Sequence, residues 1–86
     1  MTPKQVAKAW HSVTDMWIVR RNKMYDERQW EVLHDWGGDL ISEETQKVVG
    51  RFSEERSAEL RARALENEAR GAAVLAAITT SQRAEK

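Results

Sequence analysis

Apolar side chains recur at helical spacing through the first part of the chain. Val6, Trp10, Val13, Trp17 and Met24, with Ala9 and Met16 among them, fall within an arc of roughly 120° at 100° per residue. The spacing predicts a first helix from residue 3, and its start signals agree: Thr2 can cap it, Pro3 takes the first helical position and Gln5 completes a capping box. Ile18 and Val19 lie off the stripe, which makes them a candidate contact surface. Arg20, Arg21, Asn22 and Lys23 then close the run, as expected of cations in a last helical turn.

A second start signal follows at Asp26 and Gln29, with Tyr25 and Trp30 placed as a hydrophobic staple. It predicts a helix over residues 27–36, whose apolar residues Trp30, Val32, Leu33 and Trp36 spread over an arc of roughly 160°. Gly37 and Gly38 end it. Asp39, Leu40 and Ile41 read as a connection, and Ser42 with Glu43 and Glu44 as the start of a third helix with Val48, Val49 and Phe52 on its apolar side. Gly50 weakens that helix, and Ser53-Glu54-Glu55 repeats the start signal.

From residue 54 to 79 there is no proline, and alanine, leucine, glutamate and arginine dominate. A helix of that length spans roughly 39 Å, against a radius of gyration of about 12 Å for a domain of this size. Ala58, Ala62, Leu65, Ala69, Ala72 and Ala76 step along it as one heptad seam, and Leu60, Ala64, Asn67, Gly71, Val74 and Ile78 as a second. The expected fold is therefore all-α: a helical bundle head of three short helices over residues 1–52, a long Ala/Glu/Arg-rich helix over 53–80, and a disordered tail at 81–86.

Composition narrows the function. The chain has 86 residues, 41% hydrophobic and 33% charged, with no cysteine. Disulfides, cysteine-bound zinc and thiol catalysis are thereby excluded. Its longest uncharged run, residues 71–82, falls short of the ~20 apolar residues of a spanning helix. No secretory pattern opens the sequence, so a cytoplasmic location is expected. Formal neutrality conceals blocks of opposite sign: five basic residues against one acidic in 1–25, four against ten in 26–59, and five against three in 60–86.

Candidate chemistry is sparse. Glu31 and His34 have the Glu-x-x-His spacing of carboxylate-bridged metal bundles, but a single copy reads as a surface pair, as does His11 with Asp15. No phosphate loop, nucleophile elbow or HExxH pattern occurs. Trp10, Trp17 and Trp30 read as core, with Trp36 exposed beside the glycines. The expectation is a non-enzymatic interaction protein, a regulator or inhibitor, without cofactor or metal, membrane contact or small-molecule substrate. It would dimerise as a coiled coil or dock on a protein partner through Ile18, Val19, Trp36, Ala58, Ala62, Leu65, Ala69, Ala72, Val74, Leu75 and Ile78. The alternative is a helix-turn-helix-like DNA-binding regulator meeting the nucleic-acid backbone through Arg20, Arg21 and Lys23.

Overall fold

The computed structural model describes residues 2–37 and 43–84. The element order is α1 (Pro3–His11), β1 (Met16–Arg21), β2 (Trp30–Asp35), a single 3-10 turn (Glu43–Thr45), β3 (Gln46–Phe52) and α2 (Glu55–Ala84). The chain is α+β, with a three-stranded antiparallel sheet in the order β1-β2-β3, and the expected all-α helical bundle is incorrect.

The helix starts at both ends of the sequence are as its chemistry dictates. Thr2 caps α1 through a reciprocal pair, its backbone N–H donating to Gln5 Oε1 at 2.9 Å and Gln5 N–H to Thr2 Oγ1 at 3.3 Å. Ser12 ends the helix at His11, since both its N–H and its hydroxyl donate to the Ala9 carbonyl. α2 begins after Ser53-Glu54 and runs unbroken through Gly71, so the long final helix is real.

The middle of the chain departs from the expected helices because period two wins over period 3.6. In β1, Trp17 and Val19 turn to one face and Met16, Ile18 and Arg20 to the other, so the pair that a helical reading leaves stranded off its stripe is accommodated at once. In β2, Trp30, Val32 and His34 alternate with Glu31, Leu33 and Asp35; the 160° arc of the supposed helix was a strand with an apolar side chain on each face. The supposed third helix is only the turn at Glu43–Thr45 followed by β3, where consecutive Val48 and Val49 favour strand. Of the expected connection, Gly38, Asp39, Leu40, Ile41 and Ser42 lie outside the described residues, as do Glu85 and Lys86 of the expected tail.

Two compact units divide the chain. In the unit Thr14–Glu66, the sheet buries one face on the first half of α2. Val32, Ala58 and Ala62 form its buried centre, with Trp17, Val19, Trp30, Phe52 and Leu65 packed around them. Alanine at 58 and 62 lets the helix approach the strand closely, and the large rings fill the margins. Gly50 sits opposite Val32 beside a bulge in β3, and a Cβ there would stand 3.1 Å from the Phe52 ring, which occupies the space instead. The eight-residue connection from β1 to β2 is closed by Asn22 N–H donating to the Gln29 carbonyl at 2.6 Å and carries Arg28 at φ 53°, in the left-handed region.

The unit Met1–Val13 with Asn67–Lys86 consists of α1 and the second half of α2. Arg70 Nη1 donates to the Trp10 carbonyl at 2.6 Å, and its guanidinium lies 6.0 Å from the Trp10 ring centroid. Among its described residues none is fully buried.

Candidate interaction surface

Strand register sorts the sheet residues into rows. On the face packed against α2 the rows are Trp17–His34–Lys47, Val19–Val32–Gly50 and Arg21–Trp30–Phe52. On the opposite face they are Met16–Asp35–Gln46, Ile18–Leu33–Val48 and Arg20–Glu31–Arg51. Among the described residues no element of the same unit covers this second face, which combines an aliphatic middle row with a polar row on either side.

Glu31, 1% exposed, is the centre of one polar row. Its Oε1 accepts from Arg20 Nη2 at 3.1 Å and Asn22 Nδ2 at 3.2 Å, and its Oε2 from Arg51 Nε at 3.2 Å. Burial alone would raise its pKa, but the three donors outweigh burial and hold the carboxyl below its ordinary value. The Arg51 guanidinium is further fixed 4.0 Å from the Tyr25 ring centroid.

Asp35 is buried in the other polar row. Gln46 Nε2 donates to its Oδ2 at 3.0 Å, and Gly37 N–H and Thr45 Oγ1 donate to its Oδ1 at 2.8 and 3.1 Å. These bonds, that from Gln46 foremost, hold its carboxyl below the usual aspartate value. The carboxylate thus ties the loop after β2 to the start of β3 and keeps the register that aligns the rows.

Between the polar rows lies a shallow depression of about 220 Å³ lined by Arg20, Leu33, Gln46 and Val48. Leu33 forms its buried floor, Ile18 is half-buried beside it, and Val48, Val49 and Met16 are exposed.

The sequence-derived contact residues are distributed differently from the expectation. Ile18 belongs to the open face, whereas Val19 packs inward. Ala58, Ala62 and Leu65 are covered by their own sheet. In the other unit, Ala69, Val74 and Ile78 are half-buried, while Ala72 is exposed and Leu75 is 65% exposed. Alongside them α1 and α2 frame a groove of about 640 Å³, floored by Ala9, Ala73, Ala76 and Ala77. Of the basic trio, Arg20 lies on the open face, Arg21 on the opposite face with its Nε donating to Gln29 Oε1 and its guanidinium near Trp30, and Lys23 in the connecting loop. The three do not converge on one surface.

Asp15 pairs with His34 rather than with His11: Nε2 and Oδ2 are 2.7 Å apart. The imidazole stacks on Trp17 and meets Trp36, which is 49% exposed, at 5.8 Å between centroids. Glu31 and His34, joined by spacing in a helical reading, face opposite sides of β2, and among the described residues no cluster of three metal-ligating side chains occurs.

Leu33, Gln46, Val48, Arg51 and the two buried carboxylates were missed as site residues. Their signal was at most the β-branched and aromatic content of 30–35 and 46–52; alternation was hidden because each face of β2 carries both apolar and polar side chains. No family model, curated protein or solved structure matches the chain. No described helix is long and apolar enough to cross a membrane.

Proposed function

We propose that this chain is a non-enzymatic protein-interaction module that docks a partner on the open face of its sheet. The observation that carries this reading is the in-register row Ile18–Leu33–Val48, aliphatic across all three strands and covered by no described element of its unit. A contiguous apolar patch framed by hydrogen-bonded polar groups is the composition of a docking surface. Rows of side chains held by a paired sheet also lose little conformational freedom on binding, which favours affinity. Such a module acts by occupancy, as a regulator, inhibitor or adaptor does.

The test is site-specific photo-crosslinking in the native host. A crosslinker at position 48 should yield discrete protein adducts that disappear on Ile18→Lys, whereas one at exposed position 60 should not. Adducts at 60 alone, or at 48 but indifferent to Ile18→Lys, would refute the reading.

Contact with a nucleic-acid backbone is a second reading, favoured by Arg20 and Arg51 on one open face. The neighbouring row weighs against it: Ile18–Leu33–Val48, next to the two arginines, is aliphatic and offers a phosphate backbone no donor. Duplex binding that weakens steeply with salt and is lost on Arg20→Glu would restore it.

A further inference from the structure

The open face carries two carboxylates, yet neither is displayed. Glu31 and Asp35 are each 1% exposed, and each is occupied by three internal donors. Arg20 and Arg51 present the reverse situation. Their side chains are 49% and 41% exposed, and each uses one nitrogen on Glu31, Nη2 in Arg20 and Nε in Arg51. A guanidinium has five N–H donors, so each retains several that are not engaged by the buried carboxylate. The row Arg20–Glu31–Arg51 has one acid and two bases, and what it shows to solvent is donor groups of positive charge.

Register then places this cationic row next to the aliphatic one. Arg20 lines the same depression as Leu33 and Val48, so a side chain seated on Leu33 lies beside a guanidinium. On the basis of that charge and shape, we infer that the partner segment is an acidic peptide with aliphatic anchors, its aliphatic side chain seated on Leu33 and Val48 and its carboxylates on Arg20 and Arg51. This rests on the docking reading above and adds the chemistry of the partner. The two arginines are held in place before binding, Arg20 by Glu31 and Arg51 by both Glu31 and Tyr25, so little further ordering is required of them. A basic segment would meet two fixed cations, and neither described carboxylate of the face is accessible to compensate, which supplies discrimination by repulsion.

The experiment uses the full chain, labelled at methyl groups and nitrogen, and titrated with three six-residue probes: alternating Glu and Leu, alternating Lys and Leu, and alternating Glu and Ser. The Glu/Leu peptide should shift the methyl signals of Ile18, Leu33 and Val48 and the Nε–H signals of Arg20 and Arg51, with an affinity that falls as salt rises. Arg20→Gln should weaken it by about threefold or more, with Arg51 still holding Glu31 and the thermal transition retained. Val48→Ser, outside the arginine row, should weaken both leucine peptides. If Lys/Leu binds these methyls as well as Glu/Leu does, the acidic partner is refuted while the docking face stands. If Glu/Ser binds as well as Glu/Leu, the aliphatic seat is refuted. A short duplex that shifts the two arginine signals at lower concentration than Glu/Leu also overturns the inference, and silence of the whole face to all probes overturns it together with the docking reading.

Discussion

His34 stacks on Trp17 across the β1–β2 pair, with ring centroids 4.8 Å apart and planes 10° from parallel. The two are direct register partners, and the same imidazole reaches Asp15 at 2.7 Å. One side chain thus joins the chain entering β1 to the central strand. His34→Ala should cost about 1 kcal/mol, mostly from the lost stack, because the partly exposed contact with Asp15 contributes little. His34→Phe keeps the stack and should recover most of the loss, whereas Asp15→Asn should cost less than His34→Ala. Urea unfolding with unchanged m-values measures the three; a larger loss in Asp15→Asn than in His34→Ala would show that the Asp15 contact dominates.

α2 was legible in the sequence, and the sheet was not, for a physical reason visible at Trp17. Trp10, Val13 and Trp17 do step at helical spacing, but the chain turns at Ser12 between α1 and β1, so the stripe runs across two elements. The capping box at Thr2 was legible because its signal is local, confined to four residues. The strand signal at 16–21 depends on partners in β2, which are 9 to 19 residues away in sequence, and only tertiary pairing decides between the two periods. The exposed arginine row could not be read either, since Arg51 reaches Glu31 from 20 positions away.

Ala58 and Leu60 lie two positions apart on α2 and differ sharply in environment: Ala58 is fully buried against Val32, whereas Leu60 is 55% exposed. Ala58→Leu should therefore destabilise the Thr14–Glu66 unit by about 1–3 kcal/mol through overpacking. Leu60→Ala should alter stability by no more than about 0.5 kcal/mol. Thermal unfolding of the two variants checks this, and equal effects would mean that the helix faces the sheet with a different side.

Gly50 faces the Phe52 ring, and alanine there would bring a Cβ to 3.1 and 3.3 Å from two ring atoms. Alanine also removes conformational freedom from the unfolded chain, worth about 0.4–1 kcal/mol in its favour. The ring decides the sign. Gly50→Ala should destabilise the protein in the presence of Phe52 and be neutral or stabilising in a Phe52→Leu background. A double-mutant cycle measures the coupling, and an effect independent of residue 52 would refute it.

Acid should weaken the sheet through its two covered carboxylates. Glu31 and Asp35 are held below their ordinary values of 4.5 and 3.8, so the folded chain binds their protons less readily than the unfolded chain does. Their contribution is complete above those values and declines as pH falls through them toward the lower folded values. Glu31→Gln should destabilise by about 1–2 kcal/mol at neutral pH, the half-exposed arginines limiting the effect, and should flatten the decline below pH 4.5. Denaturant midpoints measured from pH 7 to 3 test this; a variant as steeply acid-sensitive as the parent would show that other groups govern the decline.

Protection from hydrogen exchange should be graded, with the central strand highest and α1 lowest. β2 is hydrogen-bonded on both sides and holds Val32 and Leu33 in buried positions. α1 has nine residues, all half-buried or exposed, and a helix that short is marginal without a buried face. Its capping box and the bond from Arg70 to Trp10 oppose fraying at the two ends, but neither excludes water from the helix backbone. Amides of Val6–Trp10 should therefore exchange through local opening, at rates insensitive to Ala58→Leu, while those of Val32 and Leu33 should exchange faster in that variant because they open only with the sheet. Native-state exchange followed by NMR distinguishes the two regimes, and acceleration of both sets to the same extent by Ala58→Leu would show that α1 opens only when the sheet does.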